Sequence, residues 1–223
     1  MTIYRLIGDV HGKFSRYKTI LQNSPYKTIQ VGDMGVGFTN SHGENSANPP
    51  YDAMVAGGHR FIRGNHDNPA VCKRHSQYIA DGTVINGIMF VGGALSIDKA
   101  YRIEGQSYWA DEELSAHDLN MVVDIYYTAK PEIMITHECP ETIAEIMVGS
   151  IDPKTKMFSP GKLDPRFASR TRQAFQSMFE LHQPKLWAYG HWHVPFDQVV
   201  NGTRFVCLPE LAYMDVDTDK LVS

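Results

Sequence analysis

Five short apolar runs in this chain each break off at a residue able to hold a metal ion, and that punctuation constrains the fold more than any other feature. The runs are residues 3–7 before Gly8-Asp9, 28–31 before Gly32-Asp33, 60–63 before Gly64-Asn65-His66, 133–136 before His137 and 186–189 before Gly190-His191. They read as buried strands that deliver polar residues into the loops following them. Residues 88–91 and 204–208 predict two further strands. Residues 14–21 carry apolar side chains at helical spacing, and 167–182 do so more clearly, with Phe175, Met178, Phe179 and His182 on one face. The alternation predicts an α/β protein whose functional residues gather at the carboxyl ends of strands. Residues 40–50 and 150–165 are polar and rich in turn formers, and are expected to be surface loops, either of which could cover an active site.

The chain has 223 residues, 43% hydrophobic and 21% charged, as ordinary globular proteins do. No repeat, low-complexity tract or linker divides it, so one domain spanning residues 1–223 is expected. A chain of this length buries roughly 70% of its unfolded surface and needs no disulfides. Cys72, Cys139 and Cys207 are odd in number and far apart, which predicts reduced, packed thiols and a cytoplasmic location. The net charge of −4 and the isolated basic cluster Lys73-Arg74-His75 argue against an extended nucleic-acid surface. The first strand starts almost at Met1, leaving no room for a cleavable signal peptide, and no apolar run approaches the ~20 residues of a membrane span. Oligomeric state is not legible.

A lone Asp-x-His such as Asp9-Val10-His11 is a weak signal, whereas five strand ends carrying carboxylate, imidazole or amide oxygen are a strong one. That donor set suits Mn²⁺, with Fe and Zn²⁺ accepting the same ligands, and differs from the thiolate set of structural zinc. In extended segments residues two apart share a side, so Asp9 with His11, and His191 with His193, are expected to converge. Gly8, Gly32, Gly64 and Gly190 precede the ligands, where the strand must turn sharply and the backbone must come close to the ions.

Gly8-Asp9-Val10-His11-Gly12, Gly32-Asp33, Gly64-Asn65-His66-Asp67, His137 and Gly190-His191-Trp192-His193 together resemble the ordered motifs of calcineurin-like metallophosphoesterases, from residue 8 to residue 193. The resemblance implies a four-layer α/β/β/α sandwich of two mixed β-sheets flanked by helices. It implies two divalent metal ions, one held by Asp9, His11 and His193, the other by Asn65, His137 and His191, with Asp33 bridging them. It also implies in-line attack on phosphorus by a metal-bound hydroxide, with His66 as general acid and Arg63 binding phosphate. The expected partner is a phosphorylated protein, metabolite or nucleotide.

The second motif departs from that of protein phosphatases: Gly32-Asp33-Met34-Gly35-Val36-Gly37-Phe38 lacks their second arginine and the aspartate that orients the acid histidine. Asp67 and Asp98 are the candidates for that orienting carboxylate. The segment 92–98, with Arg102 and residues 108–115, is similar to one in small bacterial and phage members of the family. Tyr108 and Trp109 could stack a base but read more simply as core, and Asp111-Glu112-Glu113 reads as an acidic first helical turn. Phosphomonoester hydrolysis is the first expectation. A phosphodiesterase or (di)nucleotide hydrolase uses the same metals, and a non-catalytic metal-binding scaffold is the alternative from another class. A Cys139-His137 nucleophile pair lacks any oxyanion-hole signature. Surface or core roles are expected for His42, His59, His75, His117 and His182, and solvated faces for Lys73-Arg74 and Lys154 to Lys156.

Overall fold

The computed structural model describes residues 2–39, 48–150 and 163–222. Most of the two expected loops, with His42 and Lys154 to Lys156, lies outside the described residues. Among the described residues, ten strands form two sheets. Strands β1 (Ile3–Ile7), β2 (Lys27–Gln30), β3 (Arg60–Phe61) and β10 (Tyr213–Asp217) make a four-stranded sheet in the order β10-β1-β2-β3. Strands β4 (Thr83–Ile85), β5 (Ile88–Val91), β6 (Ile133–Thr136), β7 (Leu186–Tyr189), β8 (Phe196–Val200) and β9 (Thr203–Cys207) make a six-stranded sheet in the order β4-β5-β6-β7-β9-β8. Both sheets are mixed: the larger has a parallel centre and two antiparallel edges, and the smaller is parallel except for its antiparallel edge strand β10.

Side-chain alternation along these strands builds three apolar layers. Leu6, Ile29 and Val31 meet Phe90, Ile135, Ala188 and Val206 between the sheets. On the outer face of the smaller sheet, Ile7 and Phe61 pack with Tyr17 and Leu21 of α1 (Phe14–Gln22) and Met54 of α2 (Tyr51–Gly57), above the short α3 (Pro69–Cys72). On the outer face of the larger sheet, Met89, Met134, Trp187 and Phe205 pack under α4 (Ala116–Ala129), α5 (Glu141–Ser150) and α6 (Arg170–Leu181). The result is the expected four-layer α/β/β/α sandwich.

The parallel register brings the loops together. Ile7 lies opposite Gln30 and Tyr189 opposite Cys207, so the chain leaves β1, β2, β6 and β7 at a common edge of the sandwich. Helix α6 begins three residues later than its apolar pattern, because Ser169 caps it by accepting the Arg172 N–H, with a separate 3-10 turn at Pro165–Phe167 before it. The acidic trio is not a helical turn either. Ser115 caps α4 beyond it, while Glu112 and Glu113 turn inward and are buried. Among the described residues, no helix is long and apolar enough to cross a membrane.

Candidate metal centre

All seven expected ligands converge at that common edge, but not by strand alternation. β1 ends at Ile7 and β7 at Tyr189, so Asp9, His11, His191 and His193 sit in turns. Four ligands have left-handed backbones: His11 (φ 46°), Asp33 (57°), His191 (66°) and His193 (55°). Outside glycine that conformation costs of order 1 kcal/mol or more per residue and clusters at functional sites. Here it folds the first segment back so that Asp9 meets His11, whereas His191 and His193, expected to converge, are dealt to different clusters, His193 joining Asp9 and His11, and His191 joining Asp33 and His137. The preceding glycines allow the close approach. A Cβ on Gly64 would lie 2.0 Å from Asp33 Oδ1, and one on Gly190 would lie 2.2 Å from Asp9 Oδ1.

The first cluster is Asp9, His11 and His193. Asp9 Oδ2 lies 2.8 Å from His193 Nε2 and 3.6 Å from His11 Nε2, and the two Nε2 atoms are 2.9 Å apart. Burial opposes ionisation of Asp9, but hydrogen bonds from His11 and His193 outweigh it and hold its carboxyl below the usual range. The second cluster is Asp33, His137 and His191, and Asp33 also reaches His11, with Oδ2 3.8 Å from its Nε2. Asp33 therefore stands between the two clusters. Burial would raise its pKa, yet the surrounding imidazoles, led by His66 and His137, hold it well below the usual range.

His137 tests whether these residues fit a cation. Val31 O is an acceptor 2.9 Å from Nδ1, so that nitrogen carries the ring proton. Nε2 then faces Asn65 Oδ1 at 3.0 Å and Asp33 Oδ1 at 3.3 Å. The Asn65 amide is held in this sense because its Nδ2 donates to Ser96 Oγ at 3.0 Å. Three acceptors thus face one another, and a cation satisfies them all. Without one a second ring proton must do so: burial lowers the His137 pKa, but the charge and hydrogen bond of Asp33 push it up to about 10. The donor set fits divalent metal.

Several supporting residues were not read from the sequence. Glu138, fully buried, has Oε2 3.7 Å from His191 Nε2 and is itself held by Trp192 Nε1 at 2.7 Å, by the Cys139 N–H at 2.9 Å and by Arg172 at 3.4 Å. Such a carboxylate–imidazole contact orients a metal-binding ring. Its one sequence signal was adjacency to His137. Ser96 links Asn65 to Glu112, donating to Oε2 at 2.6 Å while its N–H donates to Oε1 at 2.9 Å. Burial pushes Glu112 up to about 7 against those bonds.

His66 lies at the centre's rim, its N–H donating to Asp33 Oδ1 at 2.7 Å and its Nδ1 3.2 Å from His11 Nδ1. Burial is the main cause that lowers its pKa to about 4, with Arg102 and His11 adding to it and Asp33 opposing, so the ring is neutral at pH 7. Neither expected carboxylate orients it. Asp67 is fully buried and accepts the N–H groups of Gly35 (2.7 Å), Val36 (2.8 Å), Gly64 (2.7 Å) and Met34 (3.2 Å), tying the loop after β2 to the loop after β3. Asp98 is committed to Arg102. Asp33 is the carboxylate beside His66, 3.8 Å from Nδ1. Phe38 stacks on the other side, with ring centroids 5.5 Å apart.

Arg63, expected to bind phosphate, is turned away from the centre. Its side chain is 2% exposed, with Nε on Asp81 Oδ2 at 2.9 Å and Nη1 on the carbonyls of Glu112 at 2.6 Å and Asp111 at 3.2 Å. Trp109 is buried against Phe38, as a core aromatic is. The three cysteines are buried and free, and burial raises every thiol. Cys139 is no nucleophile. His59 accepts the Thr28 N–H, His75 stacks on Tyr51, and His182 Nε2 lies 3.0 Å from Pro131 O, all away from the centre.

A cleft of about 250 Å³ opens beside the centre, lined by Asp33, Asn65, His66, His191, Arg102 and Trp192 among others.

Comparisons with known proteins agree with this geometry. The family model described as calcineurin-like phosphoesterase matches residues 5–195. The protein TT1561 of Thermus thermophilus is similar in structure, with a TM-score of 0.57 at 12% identity over 98% of this chain and 95% of that one. A putative 5'-nucleotidase from Staphylococcus aureus has a TM-score of 0.55 at 10% identity, over 98% of this chain and 51% of that one, so this chain spans about half its length. At these identities the likeness is one of fold. No curated protein matches in sequence.

Proposed function

The chain belongs to the calcineurin-like phosphoesterase family, and we propose that it hydrolyses phosphate monoesters at a dinuclear metal centre. The observation that carries this reading is the meeting of His137 Nε2, Asn65 Oδ1 and Asp33 Oδ1, which need a cation or a second ring proton between them, beside the Asp9, His11 and His193 cluster. Asp9, His11 and His193 would hold one divalent cation, Asn65, His137 and His191 a second, and Asp33 both. Mn²⁺ suits the set, with Fe and Zn²⁺ as the other candidates. Such cations supply Lewis acidity and a water of lowered pKa at the phosphoryl group.

The protein's own groups would do the rest. Asp33 shares its two oxygens between the clusters and so limits repulsion between the cations. Glu138 fixes the His191 ring and Ser96 the Asn65 amide, which keeps both donors aimed without reorganisation during turnover. His66 has Nδ1 at the centre and its ring at the cleft, where the imidazolium, formed when the ring takes up a proton beside the bound phosphate's negative charge, would hand that proton to the leaving oxygen. Arg63 acts as a brace beneath the centre, since its guanidinium is already satisfied. The buried, reduced cysteines fit a reducing compartment such as the cytoplasm.

The test is hydrolysis of p-nitrophenyl phosphate, bis-p-nitrophenyl phosphate, phosphopeptides and dinucleotides with Mn²⁺. His66→Ala is expected to lower kcat by ~10² while leaving Mn²⁺ binding, measured by calorimetry, unchanged. His137→Ala should lose both. Turnover of no substrate with any divalent metal would refute the enzyme reading.

A further inference from the structure

A dinuclear centre of the kind proposed would leave part of a monoester without a partner. A phosphate diester has two non-bridging oxygens and a monoester three, so cations that engage two leave the third oxygen and the second negative charge of a monoester to the protein. Arg63 is sealed away. Among the described residues, the cations lining the cleft are Arg102 and Arg172. Arg172 is 3% exposed and held by Glu138, Glu141 and the Phe167 carbonyl, so it too is spent on the protein.

Arg102 differs in what holds it. Its guanidinium forks onto the Asp98 carboxylate, Nε to Oδ1 at 2.6 Å and Nη2 to Oδ2 at 2.6 Å, and Nη1 donates to the Ser107 carbonyl at 3.2 Å. The Asp98 side chain is 48% exposed while that of Arg102 is 14% exposed. A fixed cation thus carries a removable anion. The guanidinium lies over the Phe38 ring, 5.6 Å from its centroid, and Phe38 stacks in turn on His66, so the charge sits on the His66 side of the cleft. The segment is anchored, because the Gln106 carbonyl accepts both the N–H and the hydroxyl of Thr39, next to Phe38. Carboxylate and phosphoryl oxygens present the same two-oxygen edge to an arginine fork.

We infer that Arg102 receives the third non-bridging oxygen of a phosphate monoester, in place of the Asp98 carboxylate, and so selects monoesters over diesters at this cleft. Asp98 keeps the guanidinium aligned until substrate arrives and competes weakly with it. The inference rests on the phosphoesterase reading for its substrate, but the Arg102 contact is measurable without turnover.

The experiment uses Mn²⁺-loaded protein, with inorganic phosphate titrated by calorimetry and steady-state kinetics on p-nitrophenyl phosphate and bis-p-nitrophenyl phosphate. Arg102→Gln should weaken phosphate binding and raise KM for the monoester about 10- to 100-fold, with little change for the diester, and Arg102→Lys should restore part of the loss. Asp98→Asn should tighten phosphate binding and lower the monoester KM. If Asp98→Asn and Arg102→Gln weaken phosphate binding alike, the pair is scaffold and the inference fails. It fails also if Arg102→Gln leaves phosphate binding unchanged or affects both esters equally. Wild-type protein that binds phosphate through Arg102 yet turns over neither ester would overturn the phosphoesterase reading and keep the anion site.

Discussion

Replacing Asp67 by asparagine should destabilise the protein by about 2–4 kcal/mol, although this residue touches no expected ligand side chain. Its two oxygens accept four backbone N–H groups, from Gly35 and Val36 on Oδ1 and from Gly64 and Met34 on Oδ2. An amide keeps one oxygen and turns an NH₂ toward two N–H groups, so two hydrogen bonds are lost and two buried donors face a donor. At about 1–3 kcal/mol for each stranded group the loss is roughly 2–6 kcal/mol. The carboxylate is costly to ionise there, because burial and then the charge of Asp33 raise its pKa, so removing that charge offsets part of the loss and places the net in the lower part of that range. The net is large against a typical total of about 5–15 kcal/mol. The tied loops also carry Asp33 and Asn65, so the stabilisation gained from excess Mn²⁺ should shrink as well. Urea unfolding with EDTA and with Mn²⁺ measures both. A change below about 1 kcal/mol, at the foot of the range for one stranded group, or an altered pH–rate profile with unchanged stability, would refute the latch and return Asp67 to the role of orienting His66.

Gly64→Ala should abolish Mn²⁺ binding measured by calorimetry, since its Cβ would fall 2.0 Å from Asp33 Oδ1 and 2.7 Å from His137 Nε2. Glu112→Gln should change the pH dependence of stability in EDTA. Folding raises the Glu112 carboxyl from 4.5 to about 7, so the folded state binds the extra proton, and this contribution is full below about 4.5 and lost as pH rises through 7. Wild type should therefore lose on the order of 1–3 kcal/mol relative to Glu112→Gln between pH 5 and pH 8. Parallel urea midpoints for the two proteins across that range would show that the raised pKa is absent.

The strands that end in candidate ligands were legible because a polar residue, preceded by glycine in four of the five, cuts each apolar run short. β1, β5, β6 and β7 have the bounds read from the sequence, and β2 and β9 are displaced by one residue. The edge strands were hidden: β8 reads FDQVV and β10 reads YMDVD, with exposed or half-exposed side chains where an apolar pattern would be sought. α4 was hidden differently. Its buried Leu119, Val122 and Tyr126 share the helix with exposed Met121, Ile125 and Tyr127, which blurs the apolar stripe. The candidate ligands were legible as residue types, and the structure brings them together. The residues that aim them were not, since Ser96, Glu112 and Glu138 act through side-chain directions that motif spacing does not encode. Arg63 and Asp67 show the converse: each adjoins a motif, but both side chains turn into the protein.

The candidate ligands come from both halves of the sandwich. Asp9, His11, Asp33 and Asn65 follow strands of the smaller sheet, and His137, His191 and His193 follow strands of the larger one. Between the sheets the packing is apolar and without direction. A cation shared between Asp33 and His137 would therefore be a staple across that seam, a tie between residues 104 positions apart in the chain (137 − 33) that closes a long loop much as a disulfide would. In a protein whose cysteines are all unpaired, the proposed reaction centre would double as the removable rivet that sets how firmly the two sheets are held in register.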